Sequence, residues 1–440
     1  MENAYEGGLA QTGSGVEAAK YILHRLFDGF EGGIRFRLWG GPELQFGRGN
    51  PRMGLIFHSP AAFRAMALAR DPMHLAECYL RGQVDIEGDV FSAIHIRRHL
   101  ESLHLTLADK LQLALKALTI RAEPGAGLGD VAVRWGRAIG RGARAFTRDY
   151  NSEAVSFHYD VSDDFYRLWL DERMVYSCAY YEDPAQTLEQ AQQTKLEHIC
   201  RKLRLKPGEE LLDIGCGWGA LLCWAAEHHG VKAHGITLSN NQHAHVRELI
   251  EARVLEGRVS VELMDYRDLR GEARYDKLVS VGMFEHVGLQ NLPTYFNTAR
   301  RLLKPGGLFL NPGITSDEGG WETSMNTEFI NRYVFPDGEL ETVSTVQRIM
   351  EDCGFELHDV EGLRQHYALT LREWVRRLEA RHELALHHVN EATYRVWLLY
   401  MAGSALQFEE GITGIYQILA SRRQPWSSPV PLTRGDLYPR

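Results

Sequence analysis

Apolar residues recur at helical spacing from Val16 to Phe30 (VEAAKYILHRLFDGF), which predicts an opening amphipathic helix. The period then shortens. IRFRLW at 34–39 and PRMGLIFHS at 51–59 are short apolar or alternating runs between glycines and prolines, and they predict strands. Helices are expected from Pro60 to about Leu118. Nothing in this stretch offers a nucleophile, metal site or phosphate loop, so residues 1–120 read as a packing or substrate-delivery domain. The run RAEPGAGLGD breaks any preceding helix and opens a linker over 121–150. Beyond Ser152 strands and helices alternate, ending in long helices, with a domain expected over 151–422. Residues 423–440 form a proline-containing, extended tail.

One part of the linker has its own pattern. Val131 to Arg148 contains no acidic residue, and its arginines fall at 134, 137, 141, 144 and 148. Steps of three and four place them along one helical face, as in a basic helix lying on anionic lipid headgroups. A solvated face is the plainer alternative, and Gly136, Gly140 and Gly142 weaken the helix.

The motif with most chemical content is Glu210-Leu-Leu-Asp213-Ile-Gly215-Cys-Gly217-Trp-Gly219-Ala220. An apolar strand ends at Asp213, turns through three glycines and enters the helix ALLCWAAEHH. Glycines there let backbone approach a ligand at a helix N-terminus. The spacing is G-x-G-x-G, whereas dinucleotide sites show G-x-G-x-x-G. The next strand, Val231 to Ile236, ends in Thr237-Leu238-Ser239 with Gln242 beyond, and lacks the acidic residue that holds a ribose in dehydrogenases. VELMDYRDL, YDKLVSVGMFEHVG and RLLKPGGLFLNPGIT follow, each a strand with polar residues at its carboxyl end. LLKPGG reads as a helix end and a Pro-Gly turn into a strand. The series from 200 to 315 resembles the doubly wound S-adenosylmethionine methyltransferases. That resemblance implies an α/β fold with a mostly parallel, Rossmann-like sheet, next to a smaller mixed α+β N-terminal domain.

Composition narrows the setting. A length of 440 residues favours two domains, and a net charge of -9 argues against general nucleic-acid binding. The six cysteines show no CxxC pairs, so no structural zinc site is expected, and reduced thiols fit a cytoplasmic protein. The N-terminal MENAYEGGLAQTGSG lacks the marks of a signal peptide, and no apolar run nears the roughly 20 residues of a membrane span. Lipid would be met from the inner membrane surface.

Several further stretches resemble the cyclopropane-fatty-acyl-phospholipid synthase family and its mycolic-acid relatives, across about 150–420. They are Tyr159-Asp160-Val161-Ser162 with Phe165-Tyr166, MVYSCAYY (174–181), GITLSNNQ (235–242), GMFEHVG (282–288), FINRYVFPDGEL (329–340), HYALTLREW (366–374) and LYMAGSALQFEEG (399–411). The resemblance implies methyl(ene) transfer from S-adenosylmethionine to the double bond of an unsaturated phospholipid acyl chain. Tyr176, Ser177, Gly215, Gly217, Thr237, Leu238, Gln242 and Tyr266 would line the cofactor, with Asp213 and Gly219 completing its loop. Cys178, Glu285, Ile314 (through its backbone) and Tyr400 would hold a bicarbonate ion beside the transferred methyl. Phe165 and Tyr166 would wall an acyl tunnel, and a homodimer is compatible with the family. One position departs: where the family carries a His, this chain has Pro312, which brings no donor. Asn311 is adjacent, but neighbouring strand residues point to opposite faces.

Glu285 is the leading acid–base candidate, with a helix cap or ion pair as its structural alternative. Adjacent His286 would suit a base in an amine methyltransferase. Cys178 fits a pocket wall better than a nucleophile. Two other functions stay open: an N-methyltransferase for small amines, or C-methylation of another modified acyl chain; a third possibility is an inert lipid-binding relative.

Overall fold

The computed structural model describes residues 3–69, 72–121, 162–317, 325–334 and 339–438. The arginine segment 131–148, the Tyr159-Asp160-Val161 stretch and residues 335–338 of FINRYVFPDGEL lie outside them. The described residues form two compact units. One comprises 3–121 with Asn390–Gly403, the other 162–389 with Ser404 onward.

The first unit runs α1 (Asn3–Phe27), β1 (Ile34–Arg37), β2 (Glu43–Phe46), β3 (Met53–Phe57), α2 (Pro60–Ala69), α3 (Pro72–Leu80), β4 (Val84–Gly88), α4 (Val90–Ser102) and α5 (Leu107–Thr119). Its sheet has the order β2-β1-β3-β4, with β1 and β3 parallel. Ile22, Leu23 and Phe27 of α1 pack with Phe36, Leu55, Phe57, Phe63 and Ala117. Two strands depart from the expected pattern. β2 was not foreseen, and β4 interrupts the helical run expected from Pro60. The β4 sequence Val-Asp-Ile-Glu does alternate, but its charges pair laterally: Asp85 with His58 at 2.7 Å and Glu87 with Arg35 at 3.0 Å. An edge strand carrying ion pairs has too little apolar content to stand out. Arg395 belongs to this unit too, pairing with Asp85 at 2.7 Å and donating to the carbonyls of Tyr79 and Val84.

Helix α5 starts at a capping box between Thr106 and Asp109. It buries Leu113 and Ala117, yet Leu107, Leu111, Leu115 and Leu118 are exposed, Leu107 at 85%. At helical spacing those four leucines fall within an arc of about 80°.

The second unit contains α6 (Asp163–Arg167), α7 (Leu188–Lys202), β5 (Glu210–Ile214), α8 (Ala220–His229), β6 (Lys232–Thr237), α9 (Asn240–Ala252), β7 (Val259–Leu263), β8 (Tyr275–Val279), α10 (Leu292–Leu302), β9 (Leu303–Ser316), α11 (Met325–Tyr333), α12 (Val343–Asp352), β10 (Phe355–Gly362), α13 (Arg364–Glu379), α14 (His382–Ala385) and β11 (Thr413–Arg422). Helix α15 (Glu391–Glu410) contributes its last turns here and its earlier ones to the first unit. The seven-stranded sheet has the order β10-β11-β9-β8-β5-β6-β7. Only β11 opposes the common direction. Successive strand residues feed opposite layers. Leu211, Leu310 and Leu419 pack with α7, α8 and α9, while Leu212, Phe309 and Ile418 pack with α10 and α12. This is the expected α/β, doubly wound arrangement. The Pro305-Gly306 pair sits inside β9 rather than before it, where the pairing with β8 shifts register. From β5 the chain first builds outward through β6 and β7, then returns to place β8 on the other side. Such a reversal opens a ligand crevice at the carboxyl ends of the strands.

Candidate active site

At the end of β5 the backbone turns through Gly215 (φ 82°), Gly217 (φ 53°) and Gly219 (φ 83°), all in the left-handed region that favours glycine. A Cβ on Gly219 would lie 2.9 Å from Val246 on α9. Gly219 caps α8 without a side-chain bond, so the helix N-terminus faces the crevice with backbone N–H groups. The Gly215 and Cys216 N–H groups both donate to the Ile236 carbonyl, which ties the loop to β6. Beyond β6 the Thr237 hydroxyl donates to Gln242 Oε1 at 2.7 Å, and Ser239 accepts from the Gln242 N–H. Leu238 between them is half-buried. Tyr266 follows β7 in a single turn and packs edge-on against Tyr295. Asp213, Gly215, Gly217, Gly219, Thr237, Leu238, Gln242 and Tyr266 therefore share the carboxyl edge of three adjacent strands.

The segment carrying Tyr176 and Ser177 is pinned from α7. Gln192 Nε2 donates to the Ser177 carbonyl at 2.9 Å, and Lys195 Nζ donates to the Ser177 hydroxyl at 2.9 Å. Asp171 accepts from the N–H groups of Arg173 and Val175 just upstream. Phe165 and Tyr166 on α6 are fully buried. Tyr166 packs against Tyr176 and Trp218, at 5.7 and 6.0 Å between ring centres. Tyr166 thus braces Tyr176 and the glycine loop, while Phe165 packs behind it against Tyr166 and Trp169.

At the next strand ends stands Glu285, in a turn after β8. Its Oε1 accepts from the Ile314 N–H at 2.7 Å, while buried Oε2 has no hydrogen-bond partner. Burial raises its pKa to about 7, against the pull of the Ile314 N–H. Burial also pushes His286 down to about 4, so a neutral imidazole stands beside it. A Cβ on Gly313 would collide with the Phe284 ring, which places that ring over Gly313. Pro312 and Ile314 consequently turn to the other face, towards α7. Asn311 accepts from the Tyr295 hydroxyl at 3.3 Å, on the same side as Phe284, so it faces away from the side to which Pro312 turns. Cys178 reaches the same edge: its Sγ is 3.9 Å from the Leu363 carbonyl, and the Leu363 N–H donates to Ile415, the cross-strand neighbour of Ile314. Burial pushes the Cys178 thiol up, which suits a wall and not a nucleophile. Tyr400 lies on α15 among residues that belong to the first unit, half-buried against Trp397.

Residues 146–418 match the family model described as mycolic acid cyclopropane synthetase. The chain belongs to the mycolic acid cyclopropane synthetase family. A probable fatty acid methyltransferase of Pseudomonas putida is 39% identical over 411 residues, covering 92% of this chain and 96% of that protein. The cyclopropane-fatty-acyl-phospholipid synthase of Escherichia coli K12 is 40% identical over 266 residues, 60% of this chain and 66% of its own length. Among solved structures, mycolic acid cyclopropane synthase CmaA1 with S-adenosylhomocysteine and CTAB superposes with a TM-score of 0.58 at 36% identity, covering 61% of this chain and 98% of that one. The family member described here is an S-adenosylmethionine-dependent methyltransferase. Its residues fit that cofactor: a cradle of positive-φ glycines lies beside Asp213, whose buried Oδ1 has no partner.

Three residues around this edge escaped the sequence reading. Gln192 and Lys195 sit in the apolar stripe of α7 with Leu188, Ala191, Leu196 and Ile199. Polar residues at core spacing were the signal. Gln417 on β11 lies opposite Pro312, is 2% exposed and has no partner for Oε1. Nothing short of strand register reveals that pairing.

Proposed function

We propose that this methyltransferase modifies the double bond of an unsaturated acyl chain in a membrane phospholipid, giving a cyclopropane or a methyl-branched chain. The observation that carries this reading is Glu285, a buried carboxylate with one unpartnered oxygen and a pKa near neutrality, beside the cofactor crevice. The names of the relatives, a fatty acid methyltransferase and a phospholipid synthase, support the substrate class. The glycine loop, Tyr176, Ser177, Thr237, Leu238, Gln242 and Tyr266 would hold the cofactor, which supplies an electrophilic methyl group when bound.

An isolated alkene has no proton to lose before it reacts, so the chain contributes alignment and a dry site. Once one alkene carbon has bonded to the methyl, its neighbour carries positive charge. Glu285 then takes a proton from the new methyl, closing a ring, or from an adjoining carbon, leaving a branch. The Ile314 N–H holds Oε1 in place, so Oε2 is the accepting atom. A bicarbonate ion fits poorly here. Pro312 gives no donor and the Ile314 N–H is already engaged by Glu285. The proton therefore passes to Glu285 directly.

The test is mass spectrometry of phospholipid acyl chains from cells expressing the protein, fed methyl-deuterated methionine. Two retained deuteriums indicate ring closure or a methylene branch, and three a methyl branch. Label confined to a soluble amine would falsify the lipid reading. In Glu285→Gln, labelled lipid is expected to vanish while S-adenosylhomocysteine still binds.

A further inference from the structure

We propose that Lys195 is a cofactor-positioning residue, reading the carboxylate of the cofactor's methionine end through the Ser177 hydroxyl and its own remaining N–H groups. The inference concerns the cofactor alone and holds whichever acyl chain is methylated.

The argument begins with a buried cation that is poorly compensated. Lys195 is 4% exposed on α7. An ammonium has three donors and no acceptor. Among the described residues Lys195 uses one of them, towards Ser177 Oγ at 2.9 Å, and no carboxylate lies within ion-pair distance. The acids that act on it do so from farther away. Asp171 spends both carboxylate oxygens on the Arg173 and Val175 N–H groups, and Asp213 stands at the end of β5. Burial lowers the Lys195 pKa to about 8 and raises that of Asp213 to about 7, each opposing the other's shift. A buried charge held by one neutral hydroxyl is strongly unfavourable unless an anion joins it.

The hydrogen-bond direction says where that anion lies. Ser177 Oγ accepts from Lys195, so its own proton points elsewhere. Gln192 fixes the Ser177 carbonyl at 2.9 Å, so the residue cannot swing to find an internal acceptor. Lys195 and Ser177 thus present only donors to the crevice, whereas Asp213 presents an acceptor whose Oδ1 is unpartnered. The amino-acid end of the cofactor is a zwitterion, and a site with donors on one side and a carboxylate on the other orients it. The adenosine end is met by other residues, so the two halves of the ligand can be tested apart.

The experiment is calorimetric binding of two ligands to the full-length protein and its variants. S-adenosylhomocysteine carries the amino-acid group, and 5′-methylthioadenosine is the same nucleoside thioether without it. Lys195→Met is expected to weaken S-adenosylhomocysteine roughly 10- to 100-fold, as for loss of a charged hydrogen bond, and to leave 5′-methylthioadenosine within about 3-fold. Equal weakening of both ligands assigns Lys195 to general packing and overturns the proposal, as does no weakening of either. Should Lys195→Met fail to fold, Ser177→Ala gives the same comparison with a smaller perturbation. A fall in the affinity ratio supports the proposal, and an unchanged ratio overturns it.

Discussion

Glu285 accepts from the Ile314 backbone N–H, and burial outweighs the backbone hydrogen bonds that favour its charged form. Its pKa is raised in the folded state, so its contribution to stability is complete below the ordinary glutamate range, near pH 4.5. That contribution is lost as pH climbs through about 7. Glu285→Gln keeps the shape and removes the ionisation. The variant should therefore be more stable than the wild type at about pH 8, by at most ~3 kcal/mol. The advantage should shrink towards pH 4.5. Urea unfolding at several pH values measures it, and a pH-independent difference would mean that Glu285 does not titrate with folding. If Glu285 is the base, as proposed, the same ionisation governs turnover, since its carboxylate form alone can take the proton. Wild-type turnover should rise between about pH 6 and pH 8. A flat profile would remove Glu285 as the base.

At the scale of elements, β9 carries both Pro312 and the Ile314 N–H that holds Glu285. Phe284 packs on Gly313, where a Cβ would fall 1.9 Å from its ring. Gly313→Ala should push Phe284, and Glu285 with it, out of line. Turnover is expected to drop at least about tenfold while S-adenosylhomocysteine affinity stays within about 3-fold, because the glycine loop lies on other strands. Unchanged turnover would show that Phe284 does not set the position of Glu285. Much of this edge was legible in sequence because its residues are consecutive: the Asp213 to Gly219 turn and GMFEHVG each lie on one strand end. What stayed hidden depends on strand register and helix orientation. The Gln417–Pro312 pairing needs β11 to run against β9, and Lys195 reaches Ser177 from a helix whose stripe looks like ordinary core. β4 was missed because its lateral ion pairs make an edge strand read as a solvated helix.

At the scale of the whole molecule the proposed acyl substrate raises the question of how a protein of net charge -9 would approach a lipid surface. No helix among the described residues is long and apolar enough to cross a bilayer. An anionic surface repels the molecule as a whole, so approach requires a local patch that is both apolar and basic. We propose that the leucine stripe of α5 supplies the apolar part, and that the basic part comes from the arginine-rich sequence 131–148, which lies outside the described residues. The exposed Leu107, Leu111, Leu115 and Leu118 form one stripe, and Arg134, Arg137, Arg141, Arg144 and Arg148 follow within 30 residues of the helix end. The leucines support no core, so Leu111→Ser with Leu115→Ser should leave thermal stability within about 1 kcal/mol. Sedimentation with anionic liposomes should fall about tenfold or more, since each leucine loses its transfer into the interface. Arg137, Arg141 and Arg144 changed together to Glu should abolish the preference for anionic over zwitterionic vesicles. If the serine variant instead binds liposomes normally but changes its sedimentation velocity without lipid, the stripe belongs to contact between copies of the chain.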